Sequence, residues 1–506
     1  MDYRLKLILL VLVSTLIRLL LGYGLDLGND EAYYWTYAMF PDWSHFDHPS
    51  MVGFFQQLFS LNLLFDSELA LRLGFILSGS LITVLLFYIG KEIKDERTGW
   101  LAAILFNTSI YGFIISGLFV MPDGPLVLFW MLSLLYFIKF IKTDDRKRMN
   151  RYLSVSLISL AFAIYSKYQA VYLLFGFMVY LFTYRRSQLR NPVLYLNLIF
   201  SALALFVILF WNYQNGFSGI QYHSSRISLL SVHFNPDSFF REVFGQILYN
   251  NPYNYVMILA ALFSFKKQKF IQGHYYFLFL ILGLPLILTT IFFSIFRDTL
   301  PHWSGVAFLS LIPLAAAYLA QRDRTPVLRF TLILIFVLML IGLGVVNKGW
   351  FINQRISSQE NKKLGKNDPT LDMYGWDQVQ RALELLETDR QDLESVPLVS
   401  NKWYPGSHLY YYVAEPMGKE LYVLGDIKDM HKYYWINRTK PGLVPGQNGI
   451  YMTFSHHFKD PQKHMSAYFN EMELLREFEV RRGEKTVEYG YIYLLKDYKV
   501  SNLEMD

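Results

Sequence analysis

A succession of long apolar runs, about eleven of near-spanning length, constrains this chain more than any other feature. The hydrocarbon core of a bilayer asks for roughly 20 apolar residues per helix. Runs that meet or approach this lie at Leu5–Gly22, Leu73–Gly90, Trp100–Val120, Pro125–Ile141, Tyr152–Tyr165, Ala170–Tyr184, Pro192–Trp211, Phe244–Phe265, Tyr275–Phe296, Trp303–Ala320 and Val327–Val346. Several are short, above all Tyr152–Tyr165 and Ala170–Tyr184, whose ends must extend into flanking polar residues. Lipid offers no partner to backbone N–H and C=O groups, so each run is expected to be helical. The fold class expected is a polytopic α-helical membrane protein with a soluble domain at its C-terminal end.

Cations in the connections orient the runs, because Lys and Arg concentrate on the cytoplasmic side. Alternate connections carry Lys91, Lys94 and Arg97; Lys142, Arg146, Lys147, Arg148 and Arg151; Arg185, Arg186 and Arg190; Lys266, Lys267 and Lys269; and Arg322, Arg324 and Arg329. With Arg4 and Lys6 these fall on one side. The intervening connections hold carboxylates instead: Asp26, Asp30, Glu31, Asp42, Asp47, Asp66, Glu68 and Asp123. The pattern places the N-terminus inside and the tail outside. It also explains the formal charge of +6, which lies mostly in loops and so gives no footing for nucleic acid. Leu5–Gly22 follows Arg4 and Lys6 as a signal peptide would, but no small-residue cleavage pattern comes after it, so it is expected to stay as a first helix.

Composition divides the chain. The whole is 53% hydrophobic and only 17% charged, where soluble proteins carry about 25% charge, yet residues 347–506 have ordinary soluble composition. Residues 1–346 are therefore expected to form a transmembrane domain with long outer loops at 23–72 and 212–242. Residues 347–506 are expected to form an outer α/β domain, with strand-like runs at Pro397–Ser400, Leu421–Leu424, Gly449–Phe454 and Tyr489–Leu495. The absence of cysteine excludes disulfides, thiolate catalysis and Cys-based zinc sites.

Polar residues that could carry chemistry crowd the outer connections. Asp30 and Glu31 follow the first helix, where a carboxylate is costly unless it has work or a partner. They read equally as a base facing a cavity or as caps of the next helix. Asp123 sits in the turn Met121-Pro122-Asp123-Gly124-Pro125, either as a helix cap or directed into the same outer pocket as Asp30. Lys167 is an outer cation between two short helices; it either meets an anion or snorkels to the headgroups. Arg226, among the hydroxyls of Ser224 and Ser225, suits a phosphate, though a solvated loop explains it nearly as well.

The residues resemble a family: the bacterial GT-C glycosyltransferases related to protein O-mannosyltransferases and to the lipid A aminoarabinose transferase. The resemblance rests on Asp30-Glu31-Ala32-Tyr33-Tyr34-Trp35 followed by Phe46-Asp47-His48-Pro49-Ser50-Met51, where the family usually has two prolines and Ser50 departs from it. It continues through Met121-Pro122-Asp123-Gly124-Pro125-Leu126, Ser166-Lys167-Tyr168-Gln169-Ala170, Trp211-Asn212-Tyr213 running to Arg226, and Pro301-His302-Trp303. It implies a polyprenyl-phosphate sugar donor, inversion at the anomeric carbon, Asp30 at the reaction centre and Asp123 as a second acid. Glu31, Tyr34, Asp47, His48, Lys167, Arg226 and His302 are the substrate-binding candidates. Members differ in metal use, so the resemblance names no certain cofactor and leaves room for a divalent cation.

The function expected is transfer of one sugar to a lipid A, polysaccharide or protein acceptor at the outer face of a bacterial inner membrane. A carrier or flippase for lipid-linked sugars is the alternative, and would need polar groups through both halves of the bilayer. A non-catalytic receptor whose tail binds ligand is a third, and would not require acids at Asp30 and Asp123.

Overall fold

Helix boundaries follow local chemistry along the whole chain. The structure, a computed structural model, describes residues 2–227, 233–322, 325–350 and 361–499. Part of the outer loop 212–242, residues 228–232, and the loop cation Arg324 lie outside the described residues. The helices in chain order are α1 (Tyr3–Gly24), α2 (Asn29–Met39), α3 (Met51–Phe59), α4 (Glu68–Ile93), α5 (Glu96–Thr108), α6 (Asp123–Lys142), α7 (Arg146–Ser166), α8 (Val171–Tyr184), α9 (Pro192–Gln214), α10 (Ser218–Ile227), α11 (Pro236–Asn250), α12 (Pro252–Ser264), α13 (Gly273–Ser294), α14 (Gly305–Leu319) and α15 (Thr325–Lys348). α16 (Trp376–Asp389) and α17 (Trp403–Leu409) follow. Side-chain oxygens close several N-termini: Asp95 accepts from Thr98 N–H, Asp145 from the N–H groups of Lys147 and Arg148, and Asn191 from Val193 N–H.

Contacts divide the chain into two units, Met1–Gly22 with Pro41–Leu338, and Tyr23–Phe40 with Met339–Asp506. The segment Tyr23–Phe40, expected from sequence within the membrane part, thus folds with the C-terminal residues. The reason is local: Leu27 N–H donates to the Tyr412 hydroxyl, Leu27 C=O accepts from His408, and Lys432 donates to Phe40 C=O.

Seven helices among the described residues are long and apolar enough to cross a membrane: α1, α4, α6, α9, α13, α14 with its preceding 3-10 turn, and α15. The other four expected spans differ in kind. α7 is long but its mean hydropathy is low, and α8 is short, as the sequence anticipated. Two are broken. Trp100–Val120 ends as an α-helix at Thr108 and resumes as a π-turn at Tyr111–Ile115. Phe244–Phe265 is interrupted at Asn251, whose φ is +69° and which precedes Pro252. The breaks repair each other. Asn251 Nδ2 donates to Thr108 C=O at 3.1 Å and Asn254 Nδ2 to Leu105 C=O at 2.8 Å. These carbonyls lie in the last turn of α5, where the helix supplies no further N–H donors and a bilayer supplies no water. Burial ranks the helices: 89% of the apolar window of α14 is enclosed by protein, against 22% for α9 and 11% for α15, which present their side chains to lipid.

In the second unit a five-stranded sheet has the order β2-β1-β3-β5-β4, with β1 Leu398–Ser400, β2 Leu421–Val423, β3 Gly449–Phe454, β4 Phe469–Arg482 and β5 Lys485–Tyr498. β1 runs parallel to β2 and β3, while β5 is antiparallel to β3 and β4. The short strands β1, β2 and β3 are buried throughout, as expected of parallel strands covered on both faces.

Candidate functional site

Asp123 begins α6, directly after Pro122, so a carboxylate stands at the positive end of a membrane helix. It is buried, and two side chains hold it. Lys167 Nζ lies 2.7 Å from Oδ2, and the Tyr111 hydroxyl donates to Oδ1 at 2.7 Å. Lys167 is 2% exposed, between α7 and the turn that begins α8, so it meets an anion rather than snorkelling to headgroups. Tyr111 opens the π-turn, and its ring packs where Gly305 begins α14; a Cβ at Gly305 would collide with it. An isolated ion in hydrocarbon is strongly disfavoured, so this pair is stable only because the Coulomb attraction and the added hydrogen bond act together in low dielectric.

Residues of the loops between helices gather around the pair. His48 follows Asp47 in a tight loop where Ser44 bridges Pro49 and His45 N–H donates to His48 C=O. Burial pushes the His48 imidazole down to about 3, with Asp47 opposing and Lys167 assisting. It is therefore neutral at physiological pH. His223, on α10, hydrogen-bonds through Nε2 to Asp47 C=O at 2.8 Å and packs edge-on against Tyr168 with ring centroids 5.1 Å apart. Burial also holds His223 below the ordinary range. The Arg226 guanidinium lies between Tyr222 and Trp303, 5.1 and 5.2 Å from their ring centroids. That sandwich satisfies its apolar faces and leaves its edge for an anion. The charges of Lys167, Asp123 and Arg226 all reach His302. The first unit thus brings together Asp47, His48, Asp123, Lys167, Arg226 and His302.

The remaining candidates belong to the second unit. Asp30 is exposed in the first turn of α2. Glu31 is 1% exposed, and its Oε2 accepts from Gly28 N–H at 2.9 Å. This contact is the capping alternative weighed from sequence. Tyr34 is likewise buried, its ring 5.5 Å from Tyr33 and 5.3 Å from Tyr37, packed in an aromatic cluster instead of lining a surface.

Sequence reasoning missed Tyr111, which lies inside an expected span and carries no motif. The signal available was the polar run Asn107-Thr108-Ser109, out of place in a membrane helix unless the helix breaks there. It also missed a network in the second unit. His456 sits between Glu488 and Asp372, and Asp372 accepts from Asn29 and Tyr404. Burial works to lower His456, but its hydrogen bonds to Asp372 and Glu488 and their charges prevail and raise it to about 9. His408, stacked on Trp376 with centroids 4.4 Å apart, is instead pushed down to about 4 by burial, against its bond to Leu27 C=O. Among the described residues, one grouping has three metal-ligating side chains close together, Asp372 with His456 and His457; it does not include Asp123.

Comparison with known proteins agrees with this geometry. Residues 47–211, which hold Asp47, His48, Asp123 and Lys167, match the dolichyl-phosphate-mannose-protein mannosyltransferase family. No protein with a curated description matches the chain in sequence. Among solved structures, ArnT from Cupriavidus metallidurans in the apo state is similar at 12% identity and a TM-score of 0.59, over 96% of this chain and 97% of that one. The same protein bound to undecaprenyl phosphate is similar at 12% identity and a TM-score of 0.61, with the same coverage. Residues 47–211 are thus similar to the family of dolichyl-phosphate-mannose-protein mannosyltransferases, and the fold of the chain is similar to that of ArnT.

Proposed function

We propose that the protein transfers a sugar from a polyprenyl-phosphate donor to a lipid A, polysaccharide or protein acceptor at the outer face of a bacterial inner membrane, with residues 347–506 in the periplasm. The observation that carries this reading is the buried Asp123–Lys167 pair with Arg226 nearby in the same loop cluster. Cations fixed in a site poor in water stabilise charge that develops on a departing phosphate, and they need no reorganisation to do so. Support also comes from the family matched by residues 47–211, whose description names a lipid-phosphate sugar. A solved structure of similar fold is bound to undecaprenyl phosphate.

The reaction is substitution at the anomeric carbon. An acceptor oxygen attacks, the bond to the phosphate oxygen breaks, and the electron pair leaves with the lipid phosphate, inverting the centre. Lys167 and Arg226 hold that phosphate, and Asp123 directs Lys167. Asp30, exposed in its own unit, takes the acceptor proton, a role worth about 10²–10⁴-fold when the acceptor is a hydroxyl. His48, neutral through burial, is a hydrogen-bonding group toward the sugar and adds no net charge.

The test is transfer of a labelled sugar from a polyprenyl phosphate by the purified protein, beside Asp30→Asn and Lys167→Met. Transfer by wild type with loss in both variants is the expected result. Movement of the lipid across vesicles without transfer establishes the carrier alternative, and full activity of Asp30→Asn removes the base assignment.

A further inference from the structure

In the second unit, ligand atoms of Asp372, His456 and His457 all lie within 4.8 Å of one another. Asp372 Oδ1 is 3.5 Å from His456 Nε2 and 4.0 Å from His457 Nε2. Three ligands at about 2.0–2.1 Å from a tetrahedral ion stand roughly 3.3 Å apart. The observed spacings therefore need side-chain adjustments on the order of an ångström or less to close on an ion. His457 can make the larger one, because its side chain is 53% exposed, whereas that of His456 is 5% exposed.

The surroundings are those of a metal ligand set. His456 gives its Nδ1–H to the buried Glu488 carboxylate, which fixes the ring and aims Nε2 at Asp372. A histidine that binds metal through one nitrogen almost always donates the other N–H to a carboxylate or carbonyl. Asp372 is oriented in turn by Asn29 Nδ2 on Oδ2 at 3.0 Å, while its backbone C=O accepts from Trp376 Nε1 at 3.1 Å. The Tyr404 hydroxyl donates to Asp372 Oδ1 at 2.6 Å and lies 3.0 Å from His456 Nε2, at the mouth of the group. The competing description is a histidinium held between two carboxylates with no metal at all. It accounts for Glu488, Asp372 and Tyr404, but it gives His457 no part.

We infer that Asp372, His456 and His457 form a site for a borderline divalent cation of the zinc class. Two imidazoles and one carboxylate suit Zn²⁺, not Mg²⁺ or Ca²⁺, which take oxygen ligands. The exposed side of His457 leaves a coordination position for water. Asn29 belongs to the first turn of α2, next to Asp30, so an occupied site also holds that turn through Asp372. This inference does not depend on the sugar-transfer reading and is tested without it.

The experiment uses full-length, tag-free protein in detergent, stripped with chelator and titrated with Zn²⁺ and separately with Mg²⁺, with Co²⁺ as the spectroscopic probe. The expected result is one Zn²⁺ per chain and no Mg²⁺ at matched concentration. Visible d–d absorption of Co²⁺ should have the intensity of a four-coordinate N/O site. His457→Ala, on a half-exposed side chain, and Asp372→Asn should each weaken Zn²⁺ at least tenfold. Absence of stoichiometric Zn²⁺, or unchanged affinity in His457→Ala, overturns the inference and leaves the histidinium network.

Discussion

Two buried charge groups, one in each unit, solve the same problem differently. In the first unit Asp123 and Lys167 form a one-to-one pair, both almost fully enclosed, with Tyr111 on the free carboxylate oxygen. In the second, His456 stands between two carboxylates, and the partly exposed His457 lies beside it. Enclosure in a membrane domain leaves no water to correct an imbalance, so charge there must be matched ion by ion. A domain with soluble composition tolerates a surplus carboxylate because solvent reaches it. The difference shows where each group is vulnerable. Removing a partner in the first strands an ion, while in the second it mainly moves a titration.

The largest effect that would break this comparison is Lys167→Met. It leaves Asp123 unpaired, and truncating one member of a buried pair costs about 3–5 kcal/mol. Sugar transfer should fall roughly 10²–10³-fold or more. The double variant Lys167→Met/Asp123→Leu should recover most of the stability in a thermal melt but none of the transfer. Recovery of transfer would show that the pair is structural only.

Tyr111→Phe is the next largest. It removes a hydrogen bond to a charged group, worth about 1.5–3 kcal/mol. It should lower turnover more than apparent donor affinity, because the pair persists while its carboxylate loses direction. A pure rise in KM would contradict this.

In the second unit the two histidines act with opposite sign on pH. His408, depressed to about 4, contributes stability that is present above pH 6.5 and lost as pH falls toward 4. At pH 5 the loss is about 2 kcal/mol. In chelator-stripped protein His456, raised to about 9, contributes stability that is complete below pH 6.5 and lost as pH rises toward 9. From pH 7.5 to pH 5 the two nearly cancel, so hydrogen-exchange protection of the sheet should change little in the wild type. His408→Gln removes one limb, and protection should then fall steadily from pH 5 to pH 9. A flat profile in that variant would refute the assignment.

Asn251→Ala has the smallest expected effect, about 1–3 kcal/mol, from the α5 carbonyl left without a donor. A loss confined to thermal stability, with transfer kinetics unchanged, would confirm that the paired helix breaks support the site without taking part in it.

Several of these residues were legible in the sequence because they violate an expectation. Asp123 and Lys167 stood out as charges in short connections between apolar helices, and the resemblance's ordered motifs set them beside Asp47, His48 and His302. Glu31 was ambiguous, since a carboxylate in a first turn caps as readily as it catalyses, and its contact with Gly28 N–H is the capping one. Tyr111 was invisible because a tyrosine in an apolar run is unremarkable until its neighbour is known. The metal-ligand group escaped for the same reason: Asp372 and His456 are far apart in sequence and share no spacing.

Hydrophobic length and loop charge alone determined that this is a multi-span helical protein with a soluble end, because the cost of unpaired backbone in lipid admits few other answers. Where helices break, which acid meets which base, and which outer segment folds with the C-terminal unit were decided by tertiary structure. Those outcomes depend on distances of a few ångströms between residues remote in the chain, over which Coulomb and hydrogen-bond energies change by several kcal/mol, and no local pattern encodes them.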